Sequence, residues 1–123
     1  MENKILIIDD NDQDIKIMKR YLGHAGYKDV VFSHTGEDGV DAVIKEKPDL
    51  VILDTSLPGI DGFEACKRIK NRCSEGTIVI IMTGLIDAVD AGKARKSGAD
   101  DYCVKTSDGT PILESVAKFL LRS

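Results

Sequence analysis

The stretch that most narrows the possible folds is Leu50-Val51-Ile52-Leu53-Asp54, followed by Thr55-Ser56-Leu57-Pro58-Gly59. A run of four apolar residues is too short for a helix of its own and reads as a strand buried on both faces. It stops at a carboxylate, and Pro58-Gly59 turns the chain away. A buried parallel strand that ends in a charged side chain puts that charge at the carboxyl edge of its sheet. Open α/β folds bind their ligands there. Asp54 is therefore the first candidate for a reactive residue.

The rest of the chain repeats this pattern. Lys4-Ile5-Leu6-Ile7-Ile8 is a first strand ending in Asp9-Asp10, and Val30-Val31-Phe32 is a short second one. The fourth is Thr77 to Met82, ending in Thr83-Gly84, and Tyr102-Cys103-Val104 is a fifth that stops at Lys105. Helical spacing fills the intervals. Ile15, Met18, Leu22 and Ala25 form the first stripe, capped by Asn11 or Asp12 and stopped by Gly26. The second helix, Gly36 to Lys47, turns Val40, Val43 and Ile44 inward and ends before Pro48. The third, Gly62 to Cys73, buries Phe63, Cys66 and Ile69 and sends Lys67 and Lys70 out to water.

The fourth helix, about Asp87 to Ser97, is built from Ala88, Val89, Ala91 and Ala94 around an internal Gly92. A mid-helix glycine costs about 1 kcal/mol against alanine, so this helix is expected to be weakly held until Gly98 ends it. The fifth starts with Thr110 as cap and Pro111 in the first turn, and buries Leu113, Val116, Ala117 and Leu120.

Five buried strands alternating with five helices make an α/β fold with a doubly wound parallel sheet. Right-handed crossovers leave few topologies. Strand order 2-1-3-4-5 is expected, with the first and third strands adjacent at the switch point. A length of 123 residues suits one domain, 1–123. Apolar residues at 42% and charged residues at 31% are those of a soluble globular protein, and no stretch approaches the ~20 apolar residues of a membrane span. Met1 to Lys4 runs straight into a strand, which reads as no signal peptide. A net charge of −4 and a pI near 5.1 argue against direct nucleic-acid binding. Cys66 and Cys73 would lie about 10 Å apart along one helix, too far for a disulfide. The cysteines are read as reduced thiols of a cytoplasmic protein, with Cys66 and Cys103 as small core residues.

In this topology Asp9, Asp10, Asp54, Thr83 and Lys105 converge on one edge of the sheet. Three carboxylates against one ammonium leave a surplus of negative charge, which raises carboxylate pKa values and which a divalent ion would relieve. An all-oxygen set of carboxylates and a carbonyl suits Mg²⁺. Metal and lysine together can hold a phosphoryl group, and a carboxylate can be its acceptor.

The set Asp9-Asp10, Asp54, Leu57-Pro58-Gly59-Ile60-Asp61-Gly62, Thr83-Gly84 and Lys105 resembles the receiver domain of two-component response regulators, over essentially the whole chain. The strand order argued above is also the one receivers have. The resemblance implies that Asp54 accepts phosphate from a phosphohistidine, on a sensor histidine kinase or a histidine phosphotransfer protein. It implies Mg²⁺ held by Asp10, Asp54 and the Ser56 carbonyl, with Asp9 acting through water. Lys105 would contact the phosphoryl group, Thr83 would hydrogen-bond it, and Tyr102 would be the aromatic switch. The protein would not be an enzyme beyond catalysing its own phosphorylation and dephosphorylation. A downstream effector, or a second copy in a homodimer, would meet the face of helix 4, strand 5 and helix 5, with no membrane involved.

Four features stand apart from the family pattern or lie outside it. Thr106 stands where receivers usually carry a cis proline after the lysine. The fourth helix is poor in large apolar residues. Ser56 and Leu85 stand where receivers have the residues that flank the phosphoryl group and influence its lifetime. Ending at Ser123, the chain is read as acting alone or as one piece of a phosphorelay. A haloacid-dehalogenase-like phosphatase would want an aspartate at position 56, and a flavodoxin-like protein would want a phosphate loop where Asp9-Asp10 stand. No GxGxxG follows a strand. The remaining alternative is a receiver-fold interaction module that works without phosphorylation.

Overall fold

The computed structural model describes residues 3–72, 76–84 and 88–120. Elements alternate along the chain: β1 (Lys4–Ile8), α1 (Asp12–His24), β2 (Asp29–Ser33), α2 (Gly36–Glu46), β3 (Leu50–Asp54), α3 (Gly62–Arg72), β4 (Ile78–Thr83), α4 (Ala88–Ser97), β5 (Asp101–Val104) and α5 (Thr110–Leu120). The strands form one parallel sheet in the order β2-β1-β3-β4-β5, as expected. Every residue of β3 is buried. The central strands are long apolar runs because helices cover both of their faces.

Side chains alternate across a strand, so the sheet divides two cores. Ile5, Ile7, Leu50, Ile52, Ile80, Met82 and Cys103 pack with Ile15, Met18 and Leu22 of α1 and Ile112, Val116 and Leu120 of α5. Leu6, Ile8, Val51, Leu53, Val79 and Ile81 pack with α2, α3 and Ala94 of α4. Cys66 and Cys103 are buried free thiols, while Cys73 lies outside the described residues.

Several details differ from the periodicity. Ala25 is exposed because it is the C-cap of α1, and Gly26 then takes a φ of +99°. Ile44 is 50% exposed: α2 buries Gly36, Gly39, Val40 and Val43, a face closed by glycines. Lys47 is the left-handed cap of α2 rather than its last residue. In α3, Ala65 joins Cys66 and Ile69 in the core, and Phe63 is half-buried. Lys70 does not simply reach for water. Its ammonium donates to Asp100 Oδ2 at 2.6 Å and to the Thr77 carbonyl at 2.9 Å, clamping α3 to both ends of the β4–α4 unit. In α5 the buried stripe is Ile112, Ser115, Val116 and Leu120, with Leu113 and Ala117 at its margin. Thr110 is the first helical residue, and the Asp108 carboxylate accepts its amide instead.

α4 is as thinly held as its composition suggests. Among its ten residues Ala94 and Ser97 are buried, while Val89 is 69% exposed.

Candidate functional site

The carboxyl ends of β1, β3, β4 and β5 meet at one edge. The backbone carries its hydrogen bonding one step past the strands: Asp9 N donates to Ser33 O, Thr55 N to Met82 O and Lys105 N to Thr83 O, at 3.0, 3.2 and 2.7 Å. These bonds fix where the first residues after β1 and β5 stand. Alternation then sorts their side chains. Asp9, Asp54 and Lys105 continue the rows of Ile5-Ile7, Leu50-Ile52 and Cys103 and so share the α1/α5 face. Thr83 continues the row of Val79-Ile81 and Tyr102 packs in the same layer, towards α3 and α4.

Asp9 and Asp54 are buried and Asp10 is exposed, and carboxylate oxygens of all three lie within 4.8 Å of one another. The Asn11 amide donates to Asp9 Oδ1 at 3.0 Å and the Ser56 amide to Asp54 Oδ1 at 3.3 Å. Burial first, and the neighbouring Asp54 charge after it, push the Asp9 carboxyl up to about 6, although the Asn11 amide and Lys105 pull the other way. The site therefore carries more negative charge than its own residues neutralise. Among the described residues this is the acidic group that could hold a metal ion, and its donors are all oxygen.

Lys105 reaches the centre. Its Nζ lies 3.2 Å from Asp54 Oδ2, 3.4 Å from Asp9 Oδ2 and 3.0 Å from Asp14 Oδ2. Burial opposes its charge, but the bond from Asp14 and the charges of Asp54 and Asp9 outweigh it and hold the ammonium above its ordinary range. The sequence reading missed Asp14. The signal was there in helical spacing: Asp14 is one turn before Met18, which faces inward, so its side chain lies over the sheet edge.

A family model described as the response regulator receiver domain matches residues 5–117. The chain belongs to that family. It is 36% identical over 118 residues to the transcriptional regulatory protein AfsQ1 of Streptomyces coelicolor, an alignment covering 96% of this chain and 51% of that one. It is 34% identical over 119 residues to the response regulator ArlR of Staphylococcus aureus, covering 97% and 53%. The chain thus spans about half the length of these curated relatives. Among solved structures, the BeF3-activated N-terminal receiver domain of Klebsiella pneumoniae RstA superposes with a TM-score of 0.87 at 29% identity, covering 98% of this chain and all of that one. The Thermotoga maritima response regulator DrrB gives 0.86 at 33% identity, over 98% of this chain and 53% of that one.

Other parts of this receiver can be placed on the same frame. No cis peptide bond occurs among the described residues, so Lys105-Thr106 is trans. The loop after it is tied to α1, where the Tyr21 hydroxyl donates to the Ser107 carbonyl oxygen. Tyr102 has its hydroxyl buried without a hydrogen-bond partner among the described residues. Ser56 is exposed beside Asp10, Thr55 and Asp61 along a shallow open groove. Leu85 lies outside the described residues. No described helix is long and apolar enough to cross a membrane.

Proposed function

We propose that this receiver is a phosphoacceptor and that Asp54 is the residue modified. The observation that carries the reading is the Lys105 ammonium 3.2 Å from Asp54 Oδ2, with the Asp9 and Asp10 carboxylates beside it. An Asp54 carboxylate oxygen forms a bond to phosphorus as the phosphorus–nitrogen bond of a phosphohistidine breaks, and the departing imidazole nitrogen takes up a proton from solvent. Lys105 neutralises charge on the transferring group and the Ser56 amide orients the acceptor carboxylate. Asp10, Asp54 and the Ser56 carbonyl would ligate Mg²⁺ directly, with Asp9 acting through water. The ion would supply charge neutralisation for the phosphoryl oxygens.

Thr83 turns towards the phosphoryl oxygens, and Tyr102 follows into the space below β4. The donor is a sensor histidine kinase or a histidine phosphotransfer protein in the cytoplasm. The reader of the state is a downstream effector, or a second copy, at the α4–β5–α5 face. The chain catalyses its own phosphorylation and dephosphorylation and turns over no other substrate.

Incubation with acetyl phosphate and Mg²⁺, followed by intact mass, tests this. One phosphoryl adduct is expected, absent without Mg²⁺ and absent in Asp54→Asn. An undiminished adduct in Asp54→Asn would move the acceptor elsewhere. No adduct on the parent protein would favour the second reading, an interaction module whose acidic edge is idle.

A further inference from the structure

We infer that Asp14 is a positioning residue that withholds Lys105 from the phosphoryl group, so that this carboxylate weakens the receiver's hold on its own modification. The inference rests on the reading of Asp54 as acceptor. An ammonium has three N–H donors. Three carboxylate oxygens, from Asp14, Asp54 and Asp9, lie within 3.4 Å of Lys105 Nζ. No donor is left over. A phosphoryl oxygen arriving on Asp54 has to share the ammonium with Asp14 and Asp9.

Exposure decides which one goes. Asp54 is the residue modified, and its charge passes to the phosphoryl oxygens together with its claim on Lys105, whereas the Asp9 side chain, 2% exposed, would be left a buried charge if released. The Asp14 side chain is 40% exposed, so water can replace Lys105 there. Asp14 also sits in the first turn of α1, its own amide bonded to the Asn11 side chain. The positive end of the helix supports its charge when Lys105 leaves. Asp14 cannot follow the lysine, because the capped first turn holds its backbone in place. In the unmodified protein it occupies the lysine as a phosphoryl oxygen would. Asp14 therefore competes with the phosphoryl group for the ammonium.

The test is calorimetric titration of the full chain with beryllium fluoride, a tetrahedral phosphoryl mimic that adds to carboxylates, at saturating Mg²⁺. Asp14→Asn and Asp14→Ala should each bind it more tightly, by about two- to fivefold, the range of a partly exposed ion pair. Asp12→Asn is the control. Asp12 lies in the same helical turn but pairs with His34 at 2.7 Å, and its loss should leave the affinity unchanged. Equal or weaker binding by the Asp14 variants overturns the inference. So does an equal gain from Asp12→Asn, which would mean general charge repulsion rather than capture of Lys105. Absence of binding by the parent protein overturns the phosphoacceptor reading as well, whereas binding that ignores Asp14 overturns this inference alone.

Discussion

Gly62 is pressed against the backbone of Asp54: a methyl group on its Cα would stand 2.1 Å from the Asp54 carbonyl oxygen and 2.9 Å from the Thr55 Cα. The Gly62 amide also donates to the Thr55 carbonyl at 3.1 Å. α3 is thus seated directly on the end of β3, behind the residue whose carboxylate faces Lys105. Gly62→Ala should lower stability by about 1–3 kcal/mol in chemical denaturation, the usual range for overpacking, and should slow acetyl phosphate labelling. Unchanged stability would show that the junction can yield without cost.

The Asp9 carboxyl, raised from 3.8 to about 6, gives a signed pH dependence. Between these values the folded chain binds a proton that the unfolded chain has released. The metal-free protein therefore gains stability from this group as pH falls from 7 towards 4, and loses it as pH rises through 6. The full contribution is on the order of 3 kcal/mol. Asp108, held low by the Thr110 amide and then by Thr106, works in the opposite direction. The measurement is accordingly the difference in unfolding free energy between the parent and Asp9→Asn across that range. Parallel curves would remove Asp9 as the source.

Magnesium should stabilise the folded chain, since the three clustered carboxylates exist as a site only when β1 and β3 are paired. At a hundred times its Kd the ion would add about 2.7 kcal/mol, read as a rise in Tm. Asp10→Ala should lose most of that rise. Without metal the same variant should melt no lower than the parent, because it removes a like charge beside Asp9 and Asp54. A lower metal-free Tm would mean that Asp10 stabilises the fold in some other way.

α4 invites a pair of exchange experiments. With two buried residues, it should show the fastest amide exchange of the five helices, and phosphorylation should alter exchange there and at Tyr102. Gly92 has nothing within 4 Å of where a methyl group would go, so Gly92→Ala should add about 0.5–1 kcal/mol and slow that exchange. Phosphorylation changes confined to α1 would put the output surface on the other side of the molecule.

The sheet was legible because its central strands are covered on both faces, which leaves uninterrupted apolar runs such as Leu50–Leu53 with a charge at the end. α4 was legible for the opposite reason, an alanine-rich composition with little to bury. What the linear pattern obscured depends on partners distant in the chain. Lys70 looks like a solvated lysine until Asp100, thirty residues away, is brought to it. Ile44 looks like core until Gly36 and Gly39 take the inward positions of α2. Charge alone does not single out Asp14, since an acidic residue in a first turn is already accounted for by the helix dipole. Its contact with Lys105 spans ninety-one residues.

The alternation of side chains at the strand ends also bears on traffic around the molecule. Asp9, Asp54 and Lys105 open towards α1 and α5, whereas Thr83 and Tyr102 belong to the layer of α3 and α4. A donor approaching along α1 stands on the side of the sheet that also carries α5, one edge of the α4–β5–α5 face, while α4 lies across the sheet from it. Delivery and readout thus meet at α5.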